Sequence, residues 1–384
     1  MEKGLEILLG QREKEGTLRS TSTVEPEKGG YISVSGKRYI NLSSNDYLGL
    51  SSHEEIIKAT RLDQNGIFGT ASSRLMAGST VLHCELESKT AIFKNKPSAL
   101  VYNTGYQANI GVISSLFGPG DVIFSDRLNH ASIVDGITLS GARFFRFRHN
   151  DMEHLETLVM KNRNKYKKAL IVTETVFSMD GDTAPLQEIT SIKNRHDCVV
   201  MIDEAHATGI FGATGSGMAE KLGVTGDCDI IMGTYSKALG GYGAYVAVSG
   251  VVREYLINTS RSFIYSTSLP GIVINADIVA LDLIRNEPSR RHVLVSNAGY
   301  LRDKLKSVGI EAKGGTQIIP VVVKDSAKAL RISEKLRENG YWGTAIRPPT
   351  VPENTSRIRI SVTYNHTKEM LGDLAQILYD EMCR

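Results

Sequence analysis

Cys198-Val199-Val200-Met201-Ile202-Asp203-Glu204-Ala205-His206 decides how the rest of this chain is read. The run opens without a polar residue, the pattern of a strand buried on both faces in a parallel sheet. It ends in a carboxylate and, three residues on, an imidazole. In open α/β sheets ligands sit beyond the carboxyl ends of the strands, so Asp203 and His206 stand where chemistry is expected. The next apolar run, Asp229-Ile230-Ile231-Met232-Gly233, leads into Thr234-Tyr235-Ser236-Lys237 and then Gly240-Gly241-Tyr242-Gly243. A lysine in that place forms a Schiff base with a carbonyl group when desolvation or a nearby cation lowers its pKa, each unit of which is worth ~1.4 kcal/mol. Taken singly, a strand-end lysine is more often a solvated surface group, and Asp-x-x-His more often a turn or cap. Their convergence carries the functional reading.

On either side of this stretch, between about residues 66 and 250, short apolar runs alternate with helix-sized segments. The runs are Ser98–Tyr102, Asp121–Phe124, Ala142–Phe147, Ala169–Thr173, Cys198–Asp203 and Asp229–Gly233. That rhythm predicts βα units and a mostly parallel sheet, hence an α/β fold. Beyond Leu269-Pro270 a long helical stretch runs to Ile284, followed by charged helices and strands at Ile318–Val323 and Arg357–Val362, which predict a smaller α+β domain. Near the N-terminus, Leu5, Leu8 and Leu9 fall at helical spacing and predict a short amphipathic helix, with a β segment at Tyr31 to Leu42. The expected division is an N-terminal segment at 1–45 that packs with the small domain, a large domain at 46–270 and a small domain at 271–384.

Composition narrows the function classes. With 384 residues, 41% hydrophobic, 23% charged and a net charge of +3, the chain is long enough for large cores and has no disordered or collagen-like bias. No apolar run approaches the ~18 residues of a membrane span, and Glu2, Lys3 and Glu6 do not read as a signal peptide. The four cysteines, Cys84, Cys198, Cys228 and Cys383, form no CxxC pair, so neither a disulfide framework nor a metal site is expected. A reducing cytoplasm fits. The local arginines, Arg143, Arg146 and Arg148, alternate with apolar residues as strand side chains do, and no basic field for nucleic acid results. Two rival motif readings fail on their own terms. Asp203-Glu204-Ala205-His206 spells the magnesium box of some nucleoside triphosphatases, but that requires an upstream GxxxxGK[ST] loop, and Gly36-Lys37 lacks both the leading glycine and the Ser/Thr. The run Gly241-Tyr242-Gly243-Ala244-Tyr245-Val246 lacks the third glycine of a dinucleotide fingerprint and does not open the first βα unit.

The chain resembles the α-oxoamine synthases within the fold-type I pyridoxal-phosphate enzymes, from about Tyr39 to its final helical segment. The motifs that carry the resemblance are Asn41-Leu42-Ser43-Ser44-Asn45-Asp46-Tyr47-Leu48-Gly49-Leu50, Asn103-Thr104-Gly105-Tyr106-Gln107-Ala108-Asn109, Asp126-Arg127-Leu128-Asn129-His130-Ala131-Ser132 and Thr173-Glu174-Thr175-Val176-Phe177-Ser178-Met179-Asp180-Gly181-Asp182. To these are added the boxes at 203–206 and 234–237. The resemblance implies a pyridoxal-phosphate transferase fold and a homodimer with its active site at the interface. It implies that Lys237 carries the cofactor and moves the Cα proton, that Asp203 pairs with the ring nitrogen, that His206 bonds the ring oxygen and that His130 stacks on the ring. From its own neighbourhood His130 reads more readily as an ordinary buried, hydrogen-bonded histidine. Gly105 and Tyr106, at a strand-to-helix turn, and Thr234 are implied at the phosphate, Ser178 as a contact of the cofactor, and Thr267 at the phosphate of a partner copy. For Thr234 and Ser178 a turn or cap hydroxyl is the plainer alternative.

For substrates, Arg357-Ile358-Arg359-Ile360 alternates with period two, so both arginines share one face. The resemblance makes Arg359 the fork for an amino-acid carboxylate, which guanidinium binds in two places, with Asn45 in support. Arg19 falls where the family's acyl-substrate arginine lies. The loop Thr344-Ala345-Ile346-Arg347-Pro348-Pro349-Thr350-Val351-Pro352 is similar to that of family members that join L-alanine to a pimeloyl thioester, on coenzyme A or acyl-carrier protein, and it makes Arg347 and Thr350 acyl-site residues. The run Gly69 to Gly78, expected to help shape the acyl pocket, is less glycine-rich than in many relatives. Another α-oxoamine synthase such as a glycine C-acetyltransferase, an aminotransferase of the same fold, and a non-catalytic partner subunit are the alternative readings.

Overall fold

The computed structural model describes residues 1–61 and 67–382, so Cys383 lies outside the described residues. It divides into two compact units. One comprises Met1–Gly49, Met179–Asp182 and the chain from His292 onward; the other comprises Leu50–Ser178 and Thr183–Arg291. The expected divisions lie at 45/46 and 270/271; the chain changes unit at 49/50 and 291/292 and, in between, at 178/179 and 182/183.

The first unit begins with α1 (Glu2–Lys14), β1 (Glu25–Glu27), β2 (Tyr31–Val34) and β3 (Lys37–Asn41). Helix α1 forms as its periodicity predicts, yet it buries nothing. Leu5, Leu8 and Leu9 are all exposed, because no described part of the chain covers that face.

The second unit runs through α2 (Glu54–Arg61), α3 (Val81–Phe93), β4 (Ser98–Tyr102), α4 (Gly105–Leu116), β5 (Val122–Asp126), α5 (Ala131–Ser140), β6 (Arg143–Phe147) and α6 (Met152–Asn162). It continues with β7 (Ala169–Glu174), α7 (Leu186–His196), β8 (Val199–Asp203), α8 (Met218–Lys221), β9 (Ile230–Thr234), β10 (Ala244–Val248), α9 (Gly250–Thr259), α10 (Arg261–Ile264) and α11 (Gly271–Asn286). Its strands make one seven-stranded sheet in the order β4-β10-β9-β8-β7-β5-β6. All pairs are parallel except those of β10, which runs antiparallel to both neighbours. The six predicted strands are present; β10 is the addition, an apolar stretch that the glycine run before it masks. Strands β5 and β7 are buried at every residue, and Leu100, Val112, Ile123, Leu170, Met201 and Val246 join one core cluster on the sheet. Helix α11 packs on α2 and α3 and sinks Ile274, Ala280 and Leu281, which keeps it with this unit.

Helix α12 (Pro288–Ser307) leads back to the first unit, which is completed by β11 (Ile318–Lys324), α13 (Ser326–Glu338), β12 (Tyr341–Trp342), β13 (Thr344–Ile346), β14 (Ser356–Ser361) and α14 (Lys368–Met382). Its two sheets have the orders β1-β2-β3-β12 and β11-β14-β13. Among the described residues no helix is long and apolar enough to cross a membrane.

The parallel strands grow polar at their carboxyl ends: β5 ends Ser-Asp, β7 Thr-Glu, and β8 runs into Asp203-Glu204. Such carboxylates need partners when buried. Glu204 meets Lys94 from the residue after α3, at 2.6 Å, with both side chains fully buried. The ammonium also donates to Thr208 Oγ1 at 3.0 Å and to the Ser216 carbonyl, and Glu204 Oε1 accepts from the Ala219 N–H at 2.9 Å. This closed pair pins the 204–219 segment beside the end of β8. Lys94→Met leaves Glu204 buried without its counter-ion and is expected to cost about 3–5 kcal/mol, much of it recovered in Lys94→Met/Glu204→Met. Urea unfolding of the three proteins checks this, and a double variant as unstable as the single one would contradict it.

Candidate active site

Five strand ends of the large sheet meet around one cleft of about 180 Å³. Gly105 follows β4, His130 follows β5, Glu174 closes β7, Asp203 closes β8 with His206 beyond it, and Thr234 closes β9 with Lys237 beyond. All of these line the cleft. Along the chain they are scattered from position 105 to position 237; parallel strands bring them to one edge because every βα unit starts again from the same side.

Asp203 is buried and held at both oxygens. Oδ1 accepts from the Ala205 N–H at 2.9 Å and Oδ2 from Asn109 Nδ2 at 3.0 Å. Lys237 Nζ lies 2.8 Å from His206 Nε2, so the amine and the imidazole form one unit. His130 caps α5: its Nδ1 accepts from the Ser132 N–H at 3.2 Å. A nitrogen that accepts carries no proton, which leaves the proton of the neutral ring on Nε2. Desolvation of its ring on the cleft side holds the His130 pKa below its ordinary value, although the residue as a whole is exposed, with the charge of Lys237 acting in the same sense and those of Asp203 and Asp135 against it. The Tyr106 ring meets His130 edge-on at 6.3 Å, and its hydroxyl donates to Asp135.

Two features suit an anion. Thr234 Oγ1 is buried and has no hydrogen-bond partner among the described residues. The first N–H groups of α4 have no partner inside the helix; Thr104 Oγ1 takes that of Gln107 at 3.1 Å, and Gly105 and Tyr106 line the cleft. Glycine is needed at 105 because a Cβ there would stand 2.9 Å from Thr234 Cγ2. A lysine amine, a carboxylate fixed at both oxygens, an imidazole and an anion cradle form the donor set that pyridoxal phosphate requires. The residues present fit it.

Two expected cofactor residues lie outside this lining. Ser178 follows β7 at the limit of the large unit. Thr267 pairs with Ser73 in a β-bridge, and its carbonyl accepts from Asn103 Nδ2 at 2.7 Å.

The expected substrate residues belong to the other unit and fall into two groups. On β14, Arg359 Nη1 donates to Ser361 Oγ at 2.7 Å, and Nη2 lies 3.4 Å from both Asn45 Oδ1 and Tyr47 Oη. Arg357 is committed elsewhere: it pairs with Asp180 at 2.6 Å and donates to the Met179 carbonyl at 3.1 Å. The two arginines of the alternating strand are thereby separated. In the second group, Arg19 Nη2 donates to Thr350 Oγ1 at 2.7 Å and Arg347 to the Gly16 carbonyl, joining two stretches 331 positions apart. The Pro348–Pro349 peptide bond in this loop is cis.

Asn109, Ser132 and Glu174 receive no role from the sequence. Asn109 sits one helical turn after Gly105, on the same face of α4. Glu174 carries the same signal as Asp203, a carboxylate ending a buried strand. Burial first, then the charge of Asp203, pushes the Glu174 carboxyl up to about 8, against the pull of Lys237 and of the His130 backbone N–H.

Comparison with known proteins gives one family. The model of the aminotransferase class I and II family matches residues 37–378. An 8-amino-7-oxononanoate synthase from Geobacter sulfurreducens is 45% identical over 368 residues, 94% of each chain. Another, from Citrifermentans bemidjiense, is 42% identical over 367 residues, 95% of this chain and 94% of its own. Among solved structures, serine palmitoyltransferase from S. paucimobilis with bound PLP matches with a TM-score of 0.91 at 30% identity, over 98% of this chain and 96% of that one. The 8-amino-7-oxononanoate synthase from Francisella tularensis matches with a TM-score of 0.78 at 29% identity, over 89% and 97%.

Glu174 gives the cofactor-free protein a definite pH dependence. Its folded pKa of about 8 lies above the usual carboxylate value, so the native state holds a proton that the unfolded chain has lost. The associated stability is present below the usual carboxylate range and is lost as pH rises through about 8. Glu174→Gln copies the protonated form, and the apo variant is expected to lose less stability between about pH 5 and 9 than the parent, by on the order of 3 kcal/mol. Urea midpoints across that range measure it; parallel pH profiles would refute it.

Proposed function

The chain belongs to the class I and II aminotransferase family and, within it, to the α-oxoamine synthases, and on that footing we propose that it condenses L-alanine with a pimeloyl thioester, releasing carbon dioxide and the carrier thiol, to give 8-amino-7-oxononanoate for biotin synthesis. The observation that carries the reading is the 45% identity to such a synthase over 94% of both chains, in a protein whose cleft joins Lys237, His206 and Asp203. Serine palmitoyltransferase activity is the second reading, favoured by the TM-score of 0.91. Sequence identity of 30% at that likeness weighs it below the first.

The cofactor is pyridoxal 5′-phosphate, which when bound supplies an electron sink for charge developing at the amino-acid Cα. Lys237 Nζ would hold it and would move the Cα proton of the amino acid, and His206, 2.8 Å away, orients that amine. Asp203, its two oxygens fixed by Asn109 and Ala205, would pair with the ring nitrogen. His130 would stack on the ring, His206 would bond its oxygen with Ser178 also contacting the cofactor, and Thr234 with the first turn of α4 would hold the phosphate. Arg359 binds the alanine carboxylate in two places, steadied by Asn45. Arg19, Arg347 and Thr350 receive the acyl donor, carried on coenzyme A or carrier protein.

The enzyme works as a homodimer whose sites lie at the interface, Thr267 serving the phosphate of the partner copy. Exposed apolar residues on both sides of the Ser73–Thr267 bridge, among them Phe68, Leu75, Met76 and Tyr265, support this, since monomeric surfaces rarely leave such clusters uncovered. A cytoplasmic location is supported by Cys84, Cys198 and Cys228, all free thiols.

Purified enzyme supplied with alanine, glycine or serine and with pimeloyl, acetyl or palmitoyl thioesters is expected to release carbon dioxide and product fastest from alanine with pimeloyl. Preference for serine with palmitoyl, or for glycine with acetyl, would reassign the substrate. Borohydride reduction is expected to leave a pyridoxyl group on Lys237 in the parent and none in Lys237→Ala. Arg359→Lys, which replaces a two-point contact by one, is expected to raise KM for alanine about tenfold or more with a smaller change in kcat. An unchanged KM would remove Arg359 from the carboxylate site.

A further inference from the structure

Asn109 has two amide N–H groups and gives them to two different walls of the cleft. One goes to Asp203 Oδ2 at 3.0 Å and the other to Ser132 Oγ at 2.9 Å. Ser132 Oγ accepts there, so its own hydrogen points onward, and 2.8 Å away stands His130 Nδ1. The Ser132 N–H reaches the same nitrogen at 3.2 Å. Every donor in this relay has one direction: from the amide to the carboxylate on one side, and through the hydroxyl to the imidazole on the other. Asn109, Asp203 and Ser132 are buried, so water does not compete for these groups.

We propose that Asn109 and Ser132 are positioning residues that tie Asp203 to His130 as one unit and keep the imidazole neutral, with its proton on Nε2, although a carboxylate lies near it. The charges facing His130 are Asp203 from the end of β8, Asp135 from α5 and Lys237 from the loop after β9. Glu174 at the end of β7 accepts from its backbone N–H, and the uncharged Tyr106 ring of α4 meets its edge. Asp203 and Asp135 favour a second proton on the ring; desolvation and Lys237 oppose it. The hydroxyl settles the balance, because a proton on Nδ1 would face two donors, Ser132 O–H and N–H, and force the hydroxyl to abandon its place between Asn109 and His130. A neutral ring suits a stacking role beside a cofactor ring whose nitrogen is protonated, where an imidazolium would repel. The inference rests on the proposed function only in that the cleft takes pyridoxal phosphate.

The test compares Ser132→Ala, Ser132→Thr and Asn109→Ala holoenzymes, reading the visible cofactor band between about pH 5 and 8, with the cofactor dissociation constant as a second measurement. The parent and Ser132→Thr, which keeps the hydroxyl, are expected to show no histidine step. Ser132→Ala is expected to acquire one, with the His130 midpoint raised by about one pH unit, and His130→Asn in the same background is expected to abolish it. Asn109→Ala is expected to weaken cofactor binding at least about tenfold, since Asp203 loses a partner. A step absent from Ser132→Ala, or one that survives His130→Asn, overturns the proposal. If Asn109→Ala does not fold, the serine series decides. If the parent shows no cofactor band at all, the functional reading fails instead. The link is then read in histidine nitrogen NMR of the unloaded protein, where the parent is expected to show the Nε2–H form of His130 and Ser132→Ala a raised titration; no difference between them overturns it.

Discussion

Buried carboxylates at the carboxyl ends of parallel strands govern how this protein is built. Asp126, Glu174, Asp203 and Glu204 are all buried there, and an ionised carboxylate out of water is tolerated only with donors around it. Each is served differently. Asp126 receives the N–H groups of Leu128 and Asn150 at 2.8 and 3.0 Å and has His149 at 3.0 Å. Glu204 receives Lys94, Asp203 receives Asn109 and Ala205, and Glu174 keeps a proton instead. The loops after the strands take their shape from meeting these demands.

The same arrangement sets the chemistry. A carboxylate held at both oxygens keeps its direction without having to reorganise when a cofactor arrives, the condition under which electrostatic stabilisation is effective. Lys237 follows the neighbouring strand, so its amine comes to the edge where His206 already lies. Close packing behind the lysine holds that segment in place. A Cβ on Gly240, where φ is +67°, would stand 2.3 Å from the Ser51 nitrogen, and one on Gly241 would stand 1.9 Å from Asp277 Oδ1. The chain has 36 glycines, and many of the described ones sit at positive φ or where a Cβ would press on its neighbours.

Much of the large sheet was legible because its strands are apolar runs bounded by turns, and their polar last residues marked the edge where the cleft lies. Where legibility failed, the signal was tertiary. Strand β10 was hidden because it continues directly from the glycine run and is the one antiparallel member of this sheet, outside the βα rhythm. Leu5, Leu8 and Leu9 mark the helix correctly without revealing that no described part of the chain covers it. Arg357 and Arg359 are equivalent by alternation. Only the position of Asp180, brought to β14 from the segment 179–182, commits one of them to an ion pair.

Local pattern alone was enough for the α/β class and for the polar strand ends that line the cleft, because these depend on periodicity and on residue types within a few positions of each other. Which polar groups pair is a property of the folded chain. The link from Asp203 through Asn109 and Ser132 to His130 spans three elements, and the contact of Arg19 with Thr350 joins positions 331 apart. Hydrogen bonds form between atoms about 3 Å apart, a separation that only tertiary structure can set.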